Sequence, residues 1–240
     1  MLRYIKIKAL LLLTVLIASS TNSIAQEKRA SFSFSLGPSF PVGDFASKDY
    51  DNTKAGWALP GVAADLVFSH KVGNGNFSLS AMSRSQFHMM DGLAYVNELD
   101  ANLPDAGWSI EVDGWSTGSL LLGGNGSFTI AKNATFEPRL MVGYMAARLP
   151  DYTVLGSVNG SRFWVKQVST TAVSFSYLLG AGFKFDLGKK CMLLTQMDYL
   201  GGAPEFSQVE ILTSSGNRSF DTWRQNTSTI NLTVGIGVKI

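Results

Sequence analysis

The sequence predicts an all-β fold: an eight-stranded antiparallel up-and-down transmembrane β-barrel that is preceded by a cleaved signal peptide. Three observations predict it. Apolar and polar residues alternate with a period of two in eight segments of the chain. Short turns alternate with long loops between these segments. The first residues have the pattern of a secretion signal.

The secretion signal is predicted over residues 1–25. A basic start is followed by an apolar run over 9–18, and Ser23 and Ala25 provide the small residues that suit signal peptidase. The apolar run is half the length of about 20 residues that a membrane-spanning helix needs, so we expect cleavage rather than an uncleaved anchor. The predicted domains are therefore a signal peptide, 1–25, and an outer-membrane β-barrel domain, 26–240.

The alternation is clearest in 230–240, where every even position is apolar and the odd positions are polar or glycine, except that Lys239 is charged. In the segment 173–186 the odd positions are apolar and the even positions are polar, charged or glycine, except at Leu178. Helical spacing is absent from the mature chain, so no helix is predicted there. The eight predicted strands are 31–40, 57–69, 76–88, 115–130, 135–149, 173–186, 191–203 and 230–240.

The connections between the predicted strands alternate in length. Three are short, namely 70–75, 131–134 and 188–190, and the other four are long, namely 42–56, 89–114, 150–170 and 204–226. A meander with short turns at one end and long loops at the other is typical of barrels in the bacterial outer membrane, with the short turns in the periplasm.

The polar face of the predicted strands carries as many acids as bases. Groups enclosed in a narrow lumen must be paired, because an uncompensated buried charge costs several kcal/mol. We therefore predict a lumen charge network, and an eight-stranded barrel is narrow enough for such side chains to fill it and to prevent a diffusive pore. The predicted network is Asp65, Arg84, Glu137, Arg139, Lys184, Asp186, Asp198 and Lys239.

All five tryptophans fall in the long loops or at the strand ends beside them. Trp57, Trp115 and Trp164 are predicted to form an aromatic girdle where the outer membrane surface meets water. The alternative is that these rings pack the loops, as Trp108 and Trp223 could also do.

Composition excludes several other classes. Removal of the signal takes 20 Lys and Arg to 17 against 18 Asp and Glu, a net charge of −1, which offers nucleic acid no electrostatic attraction. One cysteine, Cys191, allows neither an internal disulfide nor a cysteine-based zinc cluster. No cofactor or metal site is predicted.

The stretch Leu36-Gly-Pro-Ser-Phe-Pro-Val-Gly-Asp-Phe45, followed by Ala55-Gly56 and a second strand, resembles the opening of small outer-membrane β-barrel proteins of Bacteroidota. The whole mature chain is more distantly similar to OmpA/OmpX-type eight-stranded barrels. The resemblance implies a location in the bacterial outer membrane, insertion by the barrel assembly machinery, and no assigned activity.

Candidate chemical groups are few. His70 and His88 are the two histidines, and a lipid A-modifying enzyme centred on His88 is the less favoured alternative to a barrel without enzymatic activity. The loop 89–114 is acidic and without Lys or Arg, so it either binds divalent cations or is simply solvated. Arg162 and Lys166 flank aromatic residues in the next loop, where they could hold an anionic lipid or anchor the interface.

The function that the sequence favours is a structural or surface-binding, adhesion-like role carried by the long extracellular loops. The expected partners are outer-membrane lipid, lipopolysaccharide and a protein or other surface ligand at the loops. The alternative is an accessory component of an outer-membrane secretion or assembly complex.

Overall fold

The computed structural model describes residues 29–104, 106–158 and 160–240, so the predicted signal peptide at 1–25 lies outside the described residues. It contains fourteen strands and one α-helix, α1 (Gly92–Asn102), besides a 3-10 turn at Gly43–Phe45. The strands are β1 (Ala30–Val42), β2 (Gly61–Lys71), β3 (Phe77–Met89), β4 (Ser109–Val112), β5 (Gly114–Gly126), β6 (Phe128–Ala131), β7 (Ala134–Arg148), β8 (Tyr152–Val158), β9 (Ser161–Gln167), β10 (Thr171–Leu187), β11 (Cys191–Gly202), β12 (Glu205–Thr213), β13 (Arg218–Arg224) and β14 (Ser228–Lys239).

Eight of these strands close into an antiparallel barrel. The neighbours run β1, β2, β3, β5, β7, β10, β11 and β14, and β14 pairs back onto β1, with Phe34 opposite Ile236. The short strand β6 pairs with β7 at the end of the barrel that carries the short turns. Each predicted strand segment overlaps one barrel strand, so the predicted eight-stranded antiparallel barrel is confirmed.

Large apolar side chains project outward from every barrel strand. Val173 and Ile236, for example, are 66% and 67% exposed, whereas the alternate positions Ala172 and Asn231 are buried. A continuous apolar wall on a closed barrel, which has no free sheet edge, matches hydrocarbon and not water. The wall includes Phe32, Phe34, Leu36, Val62, Leu66, Phe68, Leu79, Phe87, Leu120, Leu122, Leu140, Val142, Phe175, Leu179, Met197, Leu232, Val234 and Val238.

Within the described ranges, no helix is both long enough and apolar enough to cross a membrane.

The short turns at the periplasmic end depend on glycine. Gly73, between β2 and β3, has φ +62°, and Gly188, between β10 and β11, has φ +90°. These values lie in the left-handed region, which costs glycine little and disfavours residues with a Cβ atom. Tight turns of this kind return the chain directly into the next strand of the barrel.

The outer end carries a second, five-stranded sheet that the sequence analysis did not predict. Its order is β13, β12, β9, β8 and β4, so three long connections, namely those before β5, before β10 and after β11, assemble together above the barrel. Pairing places Leu155 opposite Trp164 and Glu210 opposite Phe220 on one face. Val154 and Val165 share the opposite face, and Val154 is buried.

The prediction that the chain contains no helix was wrong, because α1 lies in the acidic connection between β3 and β5. Its start is capped by Asp91, whose carboxylate accepts a hydrogen bond from the Ala94 amide at 3.0 Å. Gly92 and Leu99 are its buried residues, so the helix has no continuous apolar stripe that periodicity could detect. At its start, Gly92 packs against β4: a Cβ there would lie 2.8 Å from Ile110.

Candidate functional site

Four of the predicted lumen charges form one buried network across the barrel. Arg84 donates from Nε to Asp65 Oδ1 at 2.6 Å and from Nη2 to Asp198 Oδ2 at 2.6 Å. Arg139 donates from Nε to the other oxygen of Asp198 at 2.7 Å. All four side chains are at most 4% exposed. The network joins β2, β3, β7 and β11, and thus ties together strands on opposite sides of the lumen.

A close glycine contact makes room for this network. A Cβ built on Gly180 of β10 would lie 2.0 Å from Asp198 Oδ1, so any larger residue would collide with the carboxylate. Glycine at this position therefore has a packing reason, since the side chain it lacks would occupy the space of the ion cluster.

The other four predicted lumen charges lie nearer the periplasmic end and are partly exposed. Lys184 pairs with Glu137, and Lys239 Nζ lies 2.7 Å from Asp186 Oδ1. They line a polar cavity of about 280 Å³ that also contains Arg139. The structure thus brings all eight charges into pairs, in two layers that differ in exposure.

Apolar side chains fill another part of the lumen. Leu178, the exception to the alternation of β10, is fully buried because it points inward with the charged and polar positions. It belongs to an inward cluster with Val67, Met82, Leu121, Met141, Met145 and Leu200. This layer and the ion network together fill the space through which a solute would have to pass.

His88 lies inside the barrel near its outer end, next to a serine. Its Nε2 is 3.1 Å from Ser39 Oγ and its Nδ1 is 3.0 Å from the Leu59 carbonyl oxygen. A histidine oriented in this way can accept the proton of a serine hydroxyl, as in a nucleophile–base pair. Ser39 and His88 are both 0% exposed, and the Phe45 ring lies edge-on to the imidazole with centroids 5.4 Å apart. The pair is therefore enclosed by protein on all sides.

Sequence analysis did not identify the hydrogen-bond layer around this pair. Gln86 donates to Ser39 Oγ at 2.9 Å and to Asn231 Oδ1 at 2.8 Å, and it accepts from the Thr117 hydroxyl at 3.0 Å. The alternation within their strands could have identified these residues as lining the lumen, because each of them occupies an inward position. His70, the other histidine, is exposed at the periplasmic end of β2.

The structure corrects the expectation that Trp57 and Trp115 are lipid-interface aromatics. They are 6% and 3% exposed, and Trp115 packs inside the outer mouth of the barrel with Phe45 at a centroid distance of 5.4 Å. Its indole Nε1 donates to the Gly56 carbonyl oxygen at 2.8 Å. A ring enclosed by protein on this side cannot lie among lipid headgroups.

The third predicted interface aromatic, Trp164, lies on β9 and is 38% exposed on the same face of the outer sheet as Leu155. Arg162 and Lys166, two residues before and after Trp164, lie on the same face. Lys166 lies 3.4 Å from Asp151. Phe163 points to the opposite face, where its ring packs edge-on to Trp108 at 5.4 Å. The basic and aromatic residues of this loop are therefore divided between the two faces of the sheet.

The acidic residues of the connection between β3 and β5 are spread over several elements. Asp91 caps α1, Glu98 and Asp100 lie on the helix, and Glu111 lies on β4, while Asp105 is outside the described residues. In the described part of the chain, no three His, Cys, Asp or Glu side chains are grouped so that they could hold a metal ion.

Asp91 in this connection forms an ion pair and also caps the helix. Its carboxylate lies 2.5 Å from Lys48 Nζ, which links the first and second outer connections. Burial by itself would raise the pKa of Asp91, but the Lys48 hydrogen bond, the Ala94 amide and the Lys48 charge together lower it. The carboxylate is therefore ionised at neutral pH and can serve both partners.

Barrel closure and the outward apolar wall decide where the protein lies. The chain is an eight-stranded outer-membrane β-barrel. Its sequence matches no protein-family model and no curated protein.

The solved structures to which the barrel is similar include three outer-membrane proteins. A major outer membrane protein from Thermus thermophilus is 12% identical, with 87% of this chain and 98% of that chain covered and a TM-score of 0.49. Neisserial surface protein A is 10% identical, with coverage of 89% and 98% and a TM-score of 0.45. Ail, the attachment invasion locus protein of Yersinia pestis, is 13% identical, with coverage of 88% and 98% and a TM-score of 0.43.

Proposed function

We propose that this protein is a non-enzymatic surface-binding barrel whose extracellular sheet makes the functional contact, in an adhesion-like role. The observation that carries the proposal is the contrast between the interior of the barrel and its outer end. The middle of the lumen is filled by ion pairs and apolar side chains, whereas the outer connections form a five-stranded sheet and a helix. A barrel that holds an ordered platform outside the membrane and has a filled interior is suited to contact at the surface.

The face of the extracellular sheet that carries Leu155, Trp164 and Phe220, its outward face, supports this role. Leu155, Trp164 and Phe220 are 37%, 38% and 58% exposed on that face. Arg218 lies beside them, with its guanidinium 5.0 Å from the Phe220 ring centroid and 2.6 Å from Glu210. Exposed aromatic residues together with arginine are the composition that distinguishes binding surfaces from the rest of a protein surface.

The proposal that the protein has no enzymatic activity is supported by the enclosure of the Ser39–His88 pair. Both side chains lack exposed surface, so lipid A or any other substrate would reach them only after displacement of Phe45 and the outer loops. Catalysis at this pair would therefore require the outer end of the barrel to open.

Lipid contact and biogenesis belong to the same proposal. Arg162 and Lys166 on the outer sheet provide cations for anionic groups of lipopolysaccharide. The apolar wall provides the surface that the barrel assembly machinery inserts into the membrane. From the Leu36–Phe45 opening we also infer that the protein is of the Bacteroidota type.

A triple variant tests the surface-binding role. Leu155→Ser, Trp164→Ser and Phe220→Ser remove the apolar patch of the outward sheet face, and Leu93→Ser with Leu103→Ser removes two exposed leucines from the helix region as a matched control. Nanodiscs that carry each protein are passed over a glycan array and immobilised extracellular-matrix proteins. We expect the wild type and the control to be retained on the same surface, and the triple variant to lose about tenfold or more in affinity.

Two outcomes would contradict this function. Equal retention of the triple variant would exclude the outward sheet face as the contact surface, and absence of retention on every surface would exclude the adhesion-like role. If, instead, all three proteins co-purify from mild detergent with the same envelope complex, the accessory role in secretion or assembly replaces the proposal.

A further inference from the structure

A cavity of about 170 Å³ lies at the outer mouth of the barrel, where all four outer connections meet. Five aromatic side chains line it: Trp57, Tyr95, Trp115, Tyr152 and Trp223. Thr53 at its edge is exposed, so the cavity communicates with the extracellular side. None of the described residues that line the cavity is charged.

The aromatic wall of the cavity is held in place by contacts between different connections. Trp57 donates its backbone N–H to Ser47 O at 3.0 Å and accepts from the Asp91 amide at 2.7 Å. Its ring meets Tyr95 edge-to-face with centroids 5.1 Å apart. The backbone of Trp57 has φ +53°, a conformation rare for a residue with a side chain. Such backbone strain clusters at ligand sites, where surrounding contacts enforce it.

The polar groups of the cavity are fixed as well. Gln167 donates to the Pro150 carbonyl oxygen at 3.2 Å, and Gln225 donates to the Lys54 carbonyl oxygen at 2.9 Å. Both glutamines are at most 3% exposed. These bonds orient the amides, and within the described residues the side-chain carbonyl oxygens of both glutamines have no hydrogen-bond donor.

Hydroxyl groups complete the lining. Burial raises the pKa of Tyr95 and of Tyr152, so both phenols are protonated at neutral pH and can act as donors or acceptors. Their rings are neighbours, with centroids 5.9 Å apart. The cavity thus combines flat aromatic surfaces with uncharged acceptors and hydroxyls.

We propose that this cavity binds a single uncharged sugar ring at the end of a glycan. The carbon-bound hydrogens on one face of a sugar ring carry partial positive charge and pack on the electron-rich face of an aromatic ring. Its hydroxyls can donate to the free glutamine oxygens. A cavity of about 150 Å³ accommodates benzene, so the volume here suits one six-membered ring. The inference goes beyond the proposed contact at the outward sheet face, because Tyr152 and Gln167 of the cavity lie on the opposite face of that sheet.

The glutamines argue against the other ligand that an aromatic cage could take. A quaternary ammonium group can stack on tryptophan and tyrosine, but it has no hydrogen to donate. The carbonyl oxygens of Gln167 and Gln225 would then be enclosed without partners, which is costly for buried acceptors. A ring that carries hydroxyl groups satisfies both the aromatic wall and the amides.

Intrinsic tryptophan fluorescence measures occupancy directly, because three of the five tryptophans line the cavity. The full chain in nanodiscs is titrated with the methyl glycosides of glucose, galactose and N-acetylglucosamine, and separately with choline. The cavity variants are Trp223→Ala and Gln225→Leu, and Trp108→Ala is the matched control, because Trp108 neither lines the cavity nor belongs to the outward contact patch. Resistance of each variant to SDS before boiling verifies that the barrel is folded.

The expected result is a saturable fluorescence change with at least one glycoside. Its affinity should fall about tenfold or more in both cavity variants and stay unchanged in Trp108→Ala. The proposal is overturned if no glycoside binds, if Gln225→Leu binds as well as the wild type, or if choline binds more tightly than every glycoside. Loss of glycoside binding with retained adhesion of the nanodiscs overturns the sugar site alone. Glycoside binding without adhesion overturns the surface-binding role alone.

Discussion

At the scale of single residues, Asp198 is the junction of the buried ion network. It accepts from Arg84 and from Arg139, whereas Asp65 accepts from Arg84 alone. Removal of a partner from a buried ion pair costs more than the pair contributes, because the remaining charge stays enclosed without compensation. The number of cations left unpaired therefore determines how damaging a substitution is.

Asp198→Asn should lower the free energy of unfolding by about 3 to 5 kcal/mol, since Arg84 keeps Asp65 but the buried Arg139 loses its carboxylate partner. Asp65→Asn should cost less, because Arg84 keeps Asp198. Urea-induced unfolding in lipid vesicles, followed by tryptophan fluorescence, measures both values.

Asp186→Asn is the matched control for this prediction. Its side chain is 36% exposed beside Lys239, so the change should cost below about 1 kcal/mol. Equal stability of the Asp198 and Asp186 variants would show that burial of the network contributes nothing.

At the scale of elements, α1 depends on its cap more than on an apolar face. Asp91 accepts from the Ala94 amide and pairs with Lys48, so one carboxylate both starts the helix and ties it to the first outer connection. The lowered pKa of Asp91 makes this stabilisation depend on pH.

Asp91→Ala should destabilise α1 by about 1 kcal/mol, which is the usual cost of a lost N-cap. Hydrogen exchange of the α1 amides measures the loss, and Lys48→Gln, which keeps the cap, should have a smaller effect. In the wild type the folded pKa lies below the unfolded value near 4, so protection is complete above that pH and falls as the pH drops through the folded pKa. Unchanged protection in Asp91→Ala would contradict the role of the cap.

At the scale of the whole molecule, the outward wall fixes the position of the barrel in the membrane. Val234 lies near the middle of β14 and Val238 near its periplasmic end, and both point outward. The cost of a charge on the lipid face depends on depth, because only the hydrocarbon centre lacks water.

Val234→Arg should therefore destabilise the folded barrel by about 2 to 4 kcal/mol, and Val238→Arg by about 0 to 1 kcal/mol. Unfolding in vesicles of defined acyl-chain length gives both values. If the two variants were equally stable, the apolar wall would not be in contact with hydrocarbon.

The strands of the barrel could be predicted because the alternation of residue types within each strand distinguishes its two faces. In β14 the alternation from Ile230 to Val238 distinguishes lipid from lumen at every position, and this requires no knowledge of the neighbouring strand. The same signal was available for Trp115, which shares the inward parity of Thr117 and Ser119. Its position beside a long loop suggested an interface ring instead.

The outer sheet and the cavity could not be predicted in this way. Strands β8 and β9 have seven residues each, with partly exposed residues on both faces, so their alternation is weak. Pairing of Ile211 with Gln167 joins two different loops, and no local pattern specifies such a contact. The helix α1 could not be predicted because it has no apolar stripe, since few of its residues are buried.

The sequence by itself determined that the chain forms a closed barrel with an apolar exterior and balanced charges inside, because period-two alternation is a local property of each strand. Only the tertiary structure decided which charges meet, that His88 is enclosed beside Ser39, and that Trp57, Trp115 and Trp223 converge at the outer mouth. These arrangements depend on contacts between residues far apart in the chain, and their geometry is set by how the loops fold over the completed barrel.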